Sequence, residues 1–429
     1  MSDKKEFIFK GYFFDQDNKE LSLNYSIDSS INFTEKFVFN FDYKENIDLK
    51  ALEKAFQGLF FMAGVSYFKT YLPTNIIIEA GQLSQDDSDF FSRTYTKGLG
   101  EFFLVNRISP LPQISFPIDA TTIQEINLDN YFEKGYLIGL GGGKDSIVTA
   151  ELLRETDKAY TWSLNHGAKL APLVRDVGLP HFQVSRSIDP KLIELNENGA
   201  LNGHVPISAI IAFTGLIVSL LTGISDVVVS NENAANEANT IYEGMEINHQ
   251  YSKSLDFEID FQKYIKRNFG TKTSYYSSLR PYSELIISKY FSSLFNKYKY
   301  TFSSCNRAFT SESKNIYWCG ECPKCCFTFL ILSPYVESQK LEELWGKNLL
   351  LDTSLEKTYM ELLGISGIKP LDCVGEIAET RYAMELAQEK YIELSGKYTF
   401  EVNNFSINQM FSHSMPKDVL EITKSSLLT

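Results

Sequence analysis

At 429 residues the chain predicts two or three domains, each long enough for its own core, which excludes a peptide hormone or a disulfide-knot scaffold. Hydrophobic residues at 44%, charged at 22% and aromatic at 14% place it in the globular range and exclude a disordered or fibrous chain. The formal net charge of −13 opposes polyphosphate, so no nucleic-acid partner is expected.

The opening residues MSDKKEFIFK carry charge and then alternation rather than a signal-peptide core, which predicts a cytoplasmic protein. Phe7 to Phe14 and Lys36 to Tyr43 alternate as strands of an antiparallel sheet, separated by Asp, Asn and Ser turns. Leu49 to Phe68 carries Leu52, Ala55, Phe56, Leu59 and Phe60 at helical spacing. A short strand follows over Asn75 to Glu79, then an acidic loop over Ser84 to Ser88 and a helix through Phe103. The prolines Pro110, Pro112 and Pro117 open a linker that ends near Asp129.

From Gly135 the pattern becomes strand, glycine turn, helix. Strands are expected at Tyr136 to Leu140, Ala159 to Leu164, His181 to Ser185 and Val227 to Ser230, with helices at Ser146 to Arg154 and Ala168 to Val177. Val205 to Ile224 is uncharged and long enough to span a bilayer, but Pro206, Gly215 and Gly223, and the lack of flanking Lys or Arg anchors, make it a buried core helix feeding a parallel strand. No membrane association is expected. The predicted class is α/β, an open parallel sheet binding its ligand at the strand carboxyl ends. Candidate residues then collect after Leu140, Leu164 and Ser230, with Ser163 as a nucleotide contact. Beyond Ile331 helices are expected at Lys340 to Trp345, Leu355 to Leu363 and Glu376 to Lys390. The expected division is an α+β domain over 1–130, an ATP-binding domain over 131–334 and a mostly helical region over 335–429.

Gly139-Leu-Gly-Gly-Gly-Lys-Asp-Ser146 follows a strand and opens a helix, the setting in which backbone N–H groups hold phosphate. It is not a Walker P-loop, because Ile138 stands where the first glycine belongs and Asp145 follows Lys144. It is not a dinucleotide fingerprint, because Lys144 occupies the place of the third glycine. Gly141 to Ser146 resembles the SGGxDS loop of PP-loop ATP pyrophosphatases, with Gly141 replacing the first Ser. In that reading Gly141, Gly142, Gly143, Lys144 and Ser146 bind ATP, and Asp145 holds Mg2+. The resemblance implies release of AMP and pyrophosphate after an acceptor oxygen attacks the α-phosphorus.

Cys305, Cys319, Cys322 and Cys325 have the spacing of a closed four-thiolate zinc site. An iron–sulfur cluster is the rival, but a ferredoxin run wants its fourth Cys after three intervening residues beyond Cys325, and here Cys326 is adjacent. Cys373 reads as a core residue. A four-thiolate zinc has no open position, so its predicted role is to fix the loop.

The glycine loop and the cysteine motif together resemble 7-cyano-7-deazaguanine synthase, a zinc-bearing PP-loop enzyme that adenylates a carboxylate. A closer resemblance covers most of the chain: segments 137–154 (LIGLGGGKDSIVTAELLR), 227–239 (VVVSNENAANEAN), 247–258 (INHQYSKSLDFE) and 318–329 (WCGECPKCCFTF) resemble the bacterial UDP-N-acetyl-α-D-muramoyl-L-alanyl-L-glutamate epimerase family. That resemblance implies a PP-loop (HUP-like) fold and ATP-dependent inversion of the terminal L-glutamate of a nucleotide-sugar peptide, through an acyl adenylate. A base must then reach Cα, and His249 is the first candidate, with Lys253 and His204 behind it. Glu232 is a further catalytic candidate, and Asn231 and Asn236 are ligand contacts after the Val227 to Ser230 strand. A tRNA- or nucleobase-modifying adenylating enzyme would use the same loop, and a non-catalytic zinc-ribbon module would leave the loop unexplained.

Overall fold

A computed structural model describes residues 4–119, 126–309, 313, 315–401 and 405–428; residues 120–125 of the expected linker lie outside this set. Eleven strands are described: β1 (Glu6–Asp15), β2 (Glu20–Ile27), β3 (Ile31–Phe39), β4 (Asn75–Ile78), β5 (Glu133–Gly139), β6 (Ala159–Leu164), β7 (His181–Ser187), β8 (Ile224–Val229), β9 (Thr240–Tyr242), β10 (Met245–Ile247) and β11 (Ser274–Ser277). Nine of them form one sheet in the order β11-β8-β5-β6-β7-β3-β2-β1-β4, and β9 and β10 make a separate hairpin. The stretch from β11 to β7 is parallel, while β7–β3, β3–β2 and β2–β1 are antiparallel. The fold is thus mixed α/β with a largely parallel half and a helical C-terminal part.

The parallel half is covered on both faces, as the apolar runs in its strands require. Leu137 and Val227 point into one core, whereas Ile138 and Val228, one residue on, point into the other. The helix Ile207–Thr222, which lies within the uncharged stretch Val205 to Ile224, is buried along most of its length in the first of these cores. No helix among the described residues is long and apolar enough to cross a membrane. In the antiparallel half Phe7, Phe9, Leu23, Tyr25 and Phe37 join the same core as the helix Leu49–Ala63, with Tyr25 donating its hydroxyl to the Phe60 carbonyl at 2.9 Å. Because β3 pairs with β7 through Phe37 and Arg186, the sheet runs unbroken from the first hundred residues into the parallel half.

Two local expectations are corrected. Ser84 to Ser88 is not a loop: Ser84 caps the helix Gln85–Gly98 by accepting from the Asp87 N–H at 3.2 Å, and Asp86 and Asp87 complement the helix dipole in its first turn. Between the two expected N-terminal strands lies the additional β2, and the third strand spans Ile31–Phe39 rather than reaching Tyr43.

Read along the chain, the parallel strands run outward from β5 in both directions. β6 and β7 lie on one side, β8 and β11 on the other. The order reverses between β5 and β8, the place where open α/β sheets leave a crevice for ligands.

Candidate functional site

The glycine loop lies at that crevice. Gly142 has φ +97, a conformation L side chains rarely adopt, and a Cβ there would meet Phe309 at 2.8 Å and the Ser303 carbonyl at 3.3 Å. The Gly142 carbonyl in turn accepts from the Ser303 N–H at 2.9 Å. Gly143 caps the helix Lys144–Arg154, and the Ser146 hydroxyl donates back to the Gly143 carbonyl at 2.9 Å. The loop therefore presents the first amides of a helix, held in place by the segment that carries Cys305.

Asp145 after β5, Glu232 after β8 and Glu284 at the start of the helix Glu284–Tyr298 bring carboxylate oxygens within 4.8 Å of one another. Such a set of hard oxygens suits Mg2+. Lys144 turns inward and ion-pairs with both Asp145 and Glu284. Burial opposes its charge, but the two carboxylates outweigh that and push it above the ordinary lysine range. Burial also pushes Glu284 up, against the pull of Lys144. Ser163 ends β6, buried, with its hydroxyl donated to Gln183 at 2.8 Å, and Asn231 offers its carbonyl to Ser277 at 2.6 Å. Asn236 uses its side chain to accept from the Leu255 N–H at 2.7 Å.

Beside the carboxylates lies a second cluster. His249 pairs through Nδ1 with Glu101, and its ring lies 4.6 Å from that of His204. Lys253 places Nζ 3.1 Å from the Cys373 sulfur, and its charge also acts on Glu232 and Asp145. Cys373, expected as a core residue, is only partly buried. It belongs to a segment that crosses the site, tied by Lys369 to Glu237, by Glu376 to Asn233 and by the Cys373 carbonyl to Lys324. Burial would lower the pKa of His249, but Cys373 and Glu101 raise it to about 9. Burial would raise that of Cys373, but Lys253, His249 and Lys324 lower it to about 6. Burial and the neighbouring His249 charge lower His204 to about 4. Glu101, Glu284 and Cys373 escaped the sequence reading, for a single Glu or Cys far from any motif has no local signature.

The sulfurs of Cys305, Cys319, Cys322 and Cys325 lie within 4.8 Å of one another, with contacts of 3.5, 3.7 and 3.9 Å. Bonds of ~2.3 Å to one tetrahedral zinc place thiolates ~3.8 Å apart. The four residues fit a single ion, whereas several irons would spread them. Purified protein is expected to carry about one zinc per chain by elemental analysis. Iron with acid-labile sulfide would sink that assignment.

The chain matches the MurL N-terminal domain over residues 1–278 and the MurL C-terminal domain over residues 301–401. It is 38% identical over 337 residues to a protein of Xanthomonas oryzae pv. oryzae named UDP-N-acetyl-α-D-muramoyl-L-alanyl-L-glutamate epimerase, covering 78% of this chain and 74% of that one. Proteins of the same name from Salinispora tropica and a Micromonospora species are 34% and 32% identical, each across 90% of this chain and over 85% and 87% of their own lengths. The Gly loop, Glu101, Glu232, His249 and Lys253 fall in the first match, and Lys324 and Cys373 in the second.

Proposed function

Since the chain belongs to the UDP-N-acetyl-α-D-muramoyl-L-alanyl-L-glutamate epimerase family, an isomerase family, we propose that it inverts the terminal L-glutamate of UDP-N-acetylmuramoyl-L-alanyl-L-glutamate in peptidoglycan precursor synthesis, using ATP. The observation that carries the ATP part is the position of the Gly141–Ser146 loop at the sheet's reversal point, where its own Asp145 meets Glu232 and Glu284. In this reading the loop is of the PP-loop type and binds ATP, and the enzyme acts in the cytoplasm on a small nucleotide-sugar peptide.

A free α-carboxylate makes Cα–H very weakly acidic, because deprotonation would put a second negative charge beside the first. In the proposed reaction a carboxylate oxygen attacks the α-phosphorus of ATP and pyrophosphate leaves. The resulting acyl adenylate accepts carbanion charge as an enolate. The proton is removed, another is added from the opposite face, and water cleaves the mixed anhydride to AMP and the D-glutamate product.

The amides at the start of the Lys144–Arg154 helix, with Gly142 and Gly143 letting the backbone come close, bind the pyrophosphate portion. Ser163, near the end of β6, and Asn231, just after β8, stand on the strands that flank β5 and its loop, which carries Ser146. Asp145, Glu232 and Glu284 would hold Mg2+, which supplies charge neutralisation for the phosphates. The four cysteines would hold zinc, which supplies rigidity to the segment buttressing Gly142. The proton transfers fall to the cluster around His249, beside which Lys253 holds a charge that acts on Cys373 and Glu232.

In deuterium oxide with ATP and the L-glutamate substrate, the D-glutamate product is expected to carry deuterium at Cα, with AMP formed alongside. Deuterium entering at the same rate without ATP would refute the adenylate route.

A further inference from the structure

The epimerase reading leaves open which groups carry protons to and from Cα, and the cluster around Cys373 bears on it. Its members come from widely separated stretches of chain. Glu101 lies in the short helix Gly100–Val105 and His204 precedes the helix Ile207–Thr222. His249 and Lys253 follow β10, and Cys373 lies in the crossing segment of the C-terminal half. A thiol meant only to fill space would sit among apolar side chains. This one has the Lys253 ammonium at 3.1 Å, with the His249 charge acting on it as well, while the Lys324 ammonium holds its own carbonyl. His249 is paired through Nδ1 with Glu101, and its charge is one of those that act on the sulfur.

We propose that Cys373 and His249 are the two proton-carrying groups of the inversion, the thiolate on one face of the substrate Cα and the imidazolium on the other. The inference rests on the epimerase reading and adds to it a residue that the sequence did not single out. In the L-to-D direction the sulfur lone pair takes the Cα proton to form S–H, and the C–H electron pair moves into the enolate of the activated carboxyl. The enolate then takes a proton from the His249 N–H as its electrons return to Cα. This leaves a thiol and a neutral imidazole. After product leaves, the thiol gives its proton to water and the imidazole takes one up from water, which restores the starting pair with no net change in protons.

The electrostatics agree with this division. With the thiol lowered to about 6 and the imidazole raised to about 9, neutral pH places the negative charge on sulfur and the positive charge on the ring. The groups facing the sulfur are Lys253, His249 and Lys324. Those facing the imidazole, besides Cys373, are Glu101 and His204, and Asp372 carries a half-buried carboxyl alongside. Lys253 is itself pushed above the ordinary range, by Cys373 and Glu232 against burial, so it stays charged and serves as a positioning residue.

The test is Cys373→Ser in the full-length, zinc-loaded protein, with two activity readouts and one that needs no activity. Substrate-dependent exchange of labelled pyrophosphate into ATP reports activation alone, and Cα deuterium uptake reports proton transfer. Cys373→Ser is expected to keep pyrophosphate exchange within a few-fold of wild type while inversion and deuterium uptake fall by ~100-fold or more. Inversion within a few-fold of wild type overturns the proposal, and so does parallel loss of both readouts. Wild-type protein that inverts without pyrophosphate exchange instead refutes the ATP-dependent reading, leaving the thiol arm to decide. In that arm, iodoacetamide labelling of the Cys373 peptide is followed by mass spectrometry against pH. Half-maximal rate is expected near pH 6, moving up by more than a unit in His249→Ala, whereas a midpoint above pH 8 in the wild type overturns the thiolate.

Discussion

Asp145→Asn is expected to lower AMP formation by at least ~100-fold, ~2.7 kcal/mol of transition-state stabilisation, while the protein stays folded. Asn keeps the shape of the side chain but loses the charge that makes Asp145 the hard-oxygen partner of Glu232 and Glu284. The fold should tolerate the change, because the buried Lys144 ammonium retains its second carboxylate, Glu284. The loop turn also survives, since it is held by Ser146 on the Gly143 carbonyl and by Ser303 on the Gly142 carbonyl. The measurement is AMP release with ATP, Mg2+ and the dipeptide substrate, beside thermal unfolding. A variant that forms AMP within a few-fold of wild type would show that Asp145 does not serve the phosphates.

The parts of this site that lie close together in sequence were the legible ones. Gly141 to Ser146 reads as a phosphate loop because its glycines and helix start are consecutive, and the four cysteines read as a metal set because 305 to 325 is a short span. The pairing of the two motifs was not legible: Ser303 and Phe309 pack onto Gly142 only through the folded chain. Glu101 and Cys373, on either side of His249, lie 148 residues before it and over a hundred after it, and no periodicity links them. Leu21, Leu23, Tyr25 and Ile27 do alternate, so β2 had a signal, but the Asp and Asn turns flanking it drew the whole stretch toward loop. At Ser84 the competing feature was acidity, which suits the first turn of a helix as well as a loop.

Glu35→Gln is expected to destabilise the protein by ~3–5 kcal/mol, because it strands a buried guanidinium. Glu35 in β3 is 0% exposed and accepts from Arg186 Nε of β7 at 2.6 Å, and Arg186 also donates to Ser66 at 2.9 Å. These two strands are the seam where the antiparallel half joins the parallel one. Without β3, β7 would be an exposed edge with unpaired backbone groups. The pair need not be favourable in itself, since apolar replacement of both members of a buried ion pair is often neutral. Glu35→Leu combined with Arg186→Met should therefore recover most of the loss, and that recovery separates a stranded charge from a packing defect. Urea midpoints followed by tryptophan fluorescence, to which Trp162 buried in the first core contributes, measure both variants. A single variant within ~0.5 kcal/mol of wild type would mean that Arg186 keeps its charge solvated in some other way. The seam also bears on activity: Glu101, which pairs with His249, comes from the antiparallel half's own sequence region, so Glu35→Gln should lose inversion at urea concentrations where wild-type protein still turns over.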